Sequence, residues 1–388
     1  MPTIKLPTAV GHLAEYRMGE PRPFPQQAEG PFNRVALAAA HVVADPLVDA
    51  DPWLDVAIDW DRTIAFREHL WDLGLGVAEA MDTAQRGMGL DWPASLELIR
   101  RSLEAARGRR GALIFCGAGT DHLVPAQGLT IDEMIRAYEE QIAAIEGMGG
   151  RIVLMASRAL AACARSLDDY VSVYDRILSQ LREPCIIHWL GEMFDPALEG
   201  YFGSRDHTAA MDVCIGIIEG NAAKVDGIKL SLLDQDKEIA LRARLPEAAR
   251  MYTGDDFNYA ELIEGDGERH SDALLGIFDP IAPAASAALS ALADGRTAAF
   301  HEILAPTVPL SRHIFKAPTR FYKTGVVFMA YLNGHQGHFT MVGGQQSTRS
   351  LIHLAELFRL ADAAGLLRDP ELAAARMRTV MATHGVSG

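Results

Sequence analysis

Lysine is scarce in this chain of 388 residues. Only six of its 36 basic residues are lysines (Lys5, Lys224, Lys229, Lys237, Lys316 and Lys323), and none falls between Lys5 and Lys224. Arginine carries the surface charge, so a lysine in an apolar setting stands apart. Cysteine is also thin: Cys116, Cys163, Cys185 and Cys214 form no C-x-x-C pair and no zinc-like spacing, and each lies in a mostly apolar stretch. They read as buried free thiols in a reducing cytosol. No apolar run approaches the roughly 18 uncharged residues that a membrane span needs, and the N-terminus lacks a positively charged segment followed by a long apolar one. A soluble, cytoplasmic protein is the expectation. Basic blocks are missing as well, and 51 acidic residues leave a net charge of −15, which makes nucleic acid a poor partner. Neither G-x-G-x-x-G after an early strand nor G-x-x-x-x-G-K-[ST] occurs, so a dinucleotide fold or a P-loop has no signature.

What is present is 49% hydrophobic residues, ample for a buried core. Eight short apolar runs without polar alternation start at Arg34, Gly76, Gly111, Arg151, Pro184, Val225, Arg250 and Ala273. Such runs suit strands buried on both faces, as in a parallel sheet. Amphipathic stretches separate them. One of these follows Thr130, a plausible N-cap with Glu133 three residues on, and stops at Gly149 or Gly150. Alternating strands and helices predict an α/β fold, a (β/α)8 TIM barrel over residues 33–290. Residues 1–32, with four prolines between Pro21 and Pro31, read as an N-terminal loop or arm. Residues 291–388 read as a C-terminal helical extension packed on the barrel; four or five helical segments follow the last strand, including a single one from Thr297 to Phe315.

Barrel enzymes build their sites at the C-terminal ends of the strands. The polar residues there are His41 after the first run; Glu79, Asp82 and Thr83 on the second; and GAGTDH (Gly117 to His122) after the third. Ser157 and Arg158 follow the fourth, and His188 ends the fifth. Lys229 and Ser231 lie in the sixth, Gly254, Asp255 and Asp256 follow the seventh, and Asp279 follows the eighth. Lys229 is the most informative. An ammonium in an apolar strand leaves water, which lowers its pKa and makes a neutral, nucleophilic amine accessible near pH 7. The alternative is a lysine paired with Asp226 or reaching the surface. His188 is either a core histidine or, if it faces the barrel interior near Lys229, a proton shuttle. Asp82 and Thr83 could orient a hydroxyl or carbonyl, and Arg86 could clamp a carboxylate, unless Asp82 merely caps a turn and pairs with Arg86. The glycines of GAGTDH either turn amides toward an anion or serve a tight turn needing positive φ. Adjacent acids at Asp255 and Asp256 bind polyol or metal, or do turn work. The Gly-, His- and Gln-rich stretch from Asn333 to Ser347 reads as a loop with exposed polar groups.

Several motifs then line up in order. VDGIKLS resembles the G-[IV]-K strand of the dihydrodipicolinate synthase and N-acetylneuraminate lyase superfamily, and MYTGDDFNYAELI resembles its G-[DN]-D segment. EPCIIHWLG is similar to its P-[VI]-[IL]-[LI]-Y-N-x-P strand, GLGVAEAMDTAQRGMGL to its T-T-G-E loop, and the segment from Ile303 to Asn333 to its closing helices. The resemblance runs from about Arg34 to Asn333, and the chain is identified as a member of the branch catalogued as domain of unknown function 993. It implies a class I aldolase with Lys229 at the Schiff-base position, needing no cofactor, and a homodimer or homotetramer. Asp82 and Thr83 then occupy the loop that holds a keto-acid carboxylate in relatives, and His188 stands where the family has its tyrosine. An acidic Asp82 in place of T-T-G puts a pyruvate-type substrate in question.

The leading expectation is therefore a Schiff-base lyase or aldolase acting on a sugar-derived ketone or keto acid. Lys229 and His188 are catalytic in it, and Asp82, Thr83, Arg86, Ser157, Arg158, Ser231, Gly254 and Asp255 bind substrate. One alternative is a metal-dependent sugar isomerase or epimerase with a divalent ion on ligands drawn from His41, Glu79, Asp82, His122, His188 and Asp255. Another is a non-catalytic barrel that binds a sugar derivative.

Overall fold

The chain opens with an antiparallel hairpin of β1 (Thr3–Pro7) and β2 (Leu13–Arg17). Each of the eight apolar runs then becomes a strand: β3 (Ala36–Ala39), β4 (Gly76–Glu79), β5 (Ile114–Ala118), β6 (Arg151–Leu154), β7 (Cys185–Leu190), β8 (Val225–Ser231), β9 (Arg250–Thr253) and β10 (Asp272–Leu275). In the computed structural model, which describes residues 1–28, 30–123 and 128–387, these eight close into a parallel barrel. Residues 29, 124–127 and 388 lie outside the described residues. Alternate side chains face inward, where Leu37, Ala39, Ala78, Phe115, Val153, Ile186, Tyr252 and Leu274 pack as one cluster. The opposite faces pack on the surrounding helices, which is why the runs show no polar alternation.

The helices between strands are α1 (Trp60–Asp72), α2 (Trp92–Ala106), α3 (Ile131–Gly147), α4 (Arg158–Cys163), α5 (Leu167–Gln180), α6 (His207–Gly220), α7 (Gln235–Arg244) and α8 (Tyr259–Glu264). The capping box predicted for α3 forms: Thr130 accepts from the Glu133 amide while Glu133 accepts from the Thr130 amide. Gly149, at φ +83°, takes the chain out of the helix in the left-handed region that favours glycine. Between α1, α2 and β4, the Arg67 guanidinium grips both carboxylate oxygens of Glu79 at 2.8 and 2.9 Å, and Ser102 donates to the same carboxylate at 2.6 Å. All three are buried.

At the N-terminal ends of the strands, β8 carries an irregularity. It bulges where Cys185 pairs Val225 and Ile186 pairs Gly227, so the intervening Asp226 is left over. Asp226 accepts from the Tyr252 hydroxyl at 2.6 Å and from Arg151 at 3.3 Å.

Six helices follow the last strand: α9 (Ala282–Ala293), α10 (Thr297–Leu304), α11 (Val308–Ile314), α12 (Tyr322–Leu332), α13 (Leu351–Ala363) and α14 (Pro370–Thr383). The segment read as a single helix from Thr297 to Phe315 divides into α10 and α11. Pro306 sits in the tight turn between them and has no amide to continue the first helix. Residues 1–32, read as a loop or arm, are not all loop: they open with the β1–β2 hairpin. Ile4 and Leu6 are buried against α13 and α14, and buried Asp362 of α13 accepts from the Tyr16 hydroxyl at 2.6 Å and the Gly19 amide at 2.9 Å. Among the described residues, no helix is long and apolar enough to cross a membrane.

Candidate functional site

Lys229 and His188 are register partners on β8 and β7, and Lys229 also pairs with Tyr252 on β9. Register partners on neighbouring strands point to one face. Ile186, two residues before His188, and Tyr252 both belong to the interior cluster, so Lys229 and His188 face the barrel interior. The alternative partner for Lys229 is removed, because Asp226 is spent on Tyr252 and Arg151.

Lys229 is buried, and among the described residues its ammonium has no hydrogen-bond partner. Burial pulls its pKa below the usual lysine range, while the charges of Asp256 and Asp82 act in the opposite direction. Asp256 responds in the complementary sense: burial pushes it up, and the Ile277 amide, donating at 2.8 Å, and Lys229 counteract. Both partners are thus drawn toward their neutral forms. His188 is fully buried and held well below the usual imidazole range by burial and then by Lys229. Its Nε2 lies 3.2 Å from the Ser231 hydroxyl, and its Nδ1 is buried without a partner.

The adjacent acids divide their work. Asp255, expected to bind substrate, accepts from the amides of Phe257 and Asn258 and from the Asn258 side chain, and so builds a turn. Asp256 is the acid whose charge acts most strongly on Lys229. Gly254 is there for space: a Cβ would lie 2.3 Å from the Ser231 hydroxyl and 2.6 Å from the Leu230 carbonyl.

Asp82 lines the cleft, and its carboxylate makes no hydrogen bond or ion pair among the described residues. Thr83 shares a 2.8 Å hydrogen bond with the Tyr322 hydroxyl. Tyr322 starts α12, is buried and stacks on Phe315 at a centroid distance of 4.4 Å; its phenol is pushed up by burial and then by Asp82. The neighbouring Lys323 is a second buried lysine. Burial lowers it to about 8 against the opposing pull of Asp82; its ammonium donates to the Met88 sulfur at 3.3 Å and the Arg320 carbonyl at 3.2 Å and lies 4.9 Å from the centre of the Tyr322 ring. The charge of Asp82 is thus felt by two buried lysines, Lys229 inside and Lys323 at the rim.

Other expected binding residues are committed elsewhere. Arg86 does not pair with Asp82; it is buried and holds both oxygens of Asp121 at 2.6 and 3.0 Å, the Gln141 side chain and the Gly117 carbonyl. Ser157 caps α4 at the Leu160 amide and bonds Thr120 at 2.6 Å. Arg158 pairs with Asp195 but still lines the cleft. Gly117 and Gly119 do not adopt positive φ; a Cβ at Gly117 would meet the Ala80 carbonyl and the Met155 sulfur, both at 2.8 Å, so close packing explains it. The Asn333–Ser347 stretch folds onto the mouth, where the Gln85 side chain donates to the Val342 carbonyl at 2.7 Å. The metal-ligand set does not assemble. His41 is paired to Asp279 at 2.7 Å, Glu79 faces outward onto Arg67, His122 bonds Gln141 at 2.8 Å, and among the described residues no three His, Cys, Asp or Glu could hold a metal.

The mouth holds two neighbouring cavities that share Asp82, Arg158 and Asp195; His188 lines the inner one, and Lys229 lines neither. The inner one, about 90 Å³, is lined by Asp82, Thr120, Met155, Ser157 and His188; the outer, about 360 Å³, by Asp82, Arg158, Phe194, Arg320 and Lys323. Sequence reasoning missed Tyr322 and Lys323 as site residues, and of the two adjacent acids it carried Asp255 rather than Asp256 into the binding set. A phenol and a lysine side by side in an apolar helix were the available signal for the first two.

No curated protein matches the chain. Solved structures do. YagE from E. coli K12, a prophage protein of the dihydrodipicolinic acid synthase family solved with pyruvate, aligns with TM-score 0.66 at 12% identity, over 86% of this chain and 99% of its own. The chloride-inhibited dihydrodipicolinate synthase from Acinetobacter baumannii, complexed with pyruvate, gives 0.62 at 15% identity, over 86% and 99%. The dihydrodipicolinate synthase from Aquifex aeolicus gives 0.60 at 12%, over 91% and 98%. At these identities the likeness is one of fold. The family profile described as protein of unknown function (DUF993) matches residues 4–386, and the chain belongs to that family.

Proposed function

We propose that the protein is a Schiff-base lyase or aldolase, acting on a hydroxylated keto acid or sugar-derived ketone through Lys229. The observation that carries this reading is the pairing of two inward-facing groups, Lys229 and His188, in a buried setting that favours a neutral amine and a neutral imidazole. A neutral amine can add to a carbonyl carbon; loss of water then leaves an iminium that accepts the electron pair of the breaking C–C bond. In an aldol cleavage the departing carbon keeps its oxygen as an aldehyde, and the hydroxyl proton passes to a base. The enamine is protonated on carbon, and water releases the ketone and regenerates the amine. His188 is the proposed proton carrier, with Asp256 as the acid whose charge acts most strongly on the amine. Asp82, uncommitted, would take substrate hydroxyls, while Lys323 and Arg320 suit a distal anionic group. No cofactor is needed for this chemistry. Residues 33–290 would form the catalytic barrel, 1–32 the arm and 291–388 the extension, with two or four copies assembling.

The test is product analysis on a panel of ketoses and 4-hydroxy-2-oxo acids of graded length. Expected is release of an aldehyde and a shorter ketone or 2-oxo acid from at least one of them by the wild type and none by Lys229→Ala. Turnover retained in that variant would overturn the reading.

A further inference from the structure

A second cleft opens away from the mouth, between the barrel and its helical extension. It holds about 280 Å³, small for a ligand pocket, and its walls include Phe66, His69, Asp279, Met329, His335 and Arg368. Its polar groups are under-used by the fold. Asp279 is buried and spends only Oδ2, on the His41 amide at 2.8 Å and the His41 ring at 2.7 Å; Oδ1 is buried without a partner. His69 Nε2 and His41 Nε2 are likewise buried and unpartnered. The rings of His69 and His335 lie 4.8 Å apart, both beside Phe66. Burial draws both imidazoles toward the neutral form, and the nearby Arg368 charge adds to this. Among the described residues the guanidinium of Arg368 makes no ion pair or hydrogen bond; only its backbone amide is used, donating to Asn333.

We propose that this cleft binds a small hydroxycarboxylate. Its carboxylate meets the planar fork of Arg368, its hydroxyl donates to Asp279 Oδ1, and its carbons lie against Phe66 and Met329. Two arginines, Arg22 and Arg368, and one acid line the cleft, which favours a monoanion. An ammonium would face the arginines, and a phosphate dianion would face Asp279.

Calorimetric titration of the full chain with lactate, propionate, alanine and inorganic phosphate tests this, in wild type, Arg368→Ala and Lys229→Ala. Arg368 is exposed at the rim, so its truncation leaves folding intact. Expected is saturable lactate binding in wild type and Lys229→Ala alike, at least tenfold weaker in Arg368→Ala, and at least tenfold weaker for propionate. Lactate binding that is absent from wild type, unchanged in Arg368→Ala or lost in Lys229→Ala would overturn the proposal, as would tighter binding of alanine or phosphate. Because Lys229→Ala is a control here and not the readout, the reading of the mouth can fail without touching this one.

Discussion

The charge of Asp256 acts on Lys229 from the end of the neighbouring strand, and the two buried groups move in opposite directions, the amine down and the acid up. Asp256 is one of the charges that keep Lys229 from falling further. In Asp256→Asn that support is lost, the amine is neutral at lower pH, and the acid limb of imine formation shifts to lower pH. The pH dependence of reductive trapping measures it; an unchanged or upward-shifted limb would contradict the coupling.

His188 carries protons in the proposed cycle, so His188→Asn is expected to lower kcat by about 10²- to 10⁴-fold, the span typical of a general acid–base group. KM should move much less, because Asp82 and Lys323, not His188, are placed to hold the substrate's polar ends. Steady-state kinetics separate the two; a rise in KM with kcat preserved would make His188 a binding residue.

Lys323 gives a pH dependence of stability. Its folded pKa of about 8 lies below the unfolded value, so between about pH 8 and 10.5 the unfolded chain binds more protons and stability rises with pH through that window. Below pH 8 the whole cost of burying the amine is present, about 3 kcal/mol at most. Lys323→Met removes this contribution: it should be more stable than wild type at pH 7, with the difference shrinking toward pH 10. Urea denaturation at several pH values measures it.

Glu79 ends a strand at the mouth by sequence, yet it is a structural acid. Arg67→Met strands its carboxylate in a buried site and should cost about 3–5 kcal/mol by chemical denaturation. A loss below 1 kcal/mol would show that Glu79 finds other partners.

The barrel was legible because a strand buried on both faces leaves a plain apolar run, and eight such runs need eight places in a sheet. Lys229 and His188 were legible for the same reason, as polar groups where the pattern allows none. Asp255 and Asp256 could not be told apart, because a turn decides which side chain caps amides and which turns inward. Tyr322 and Lys323 were hidden by distance: they belong to a helix of the extension that folds back over the mouth. The hairpin of residues 3–17 was missed because its burial comes from α13 and α14, more than 300 residues away.

The most direct measurement is borohydride reduction of the protein with a panel of 2-oxo acids and ketoses, followed by peptide mass mapping. Six lysines make the map unambiguous, and Lys323, also buried and lowered in pKa, is an internal control. The expected result is a single reduced adduct on Lys229, absent in Lys229→Ala and kept in Lys323→Met. An adduct on Lys323 alone, or none on Lys229 with any compound, would contradict an imine at this site.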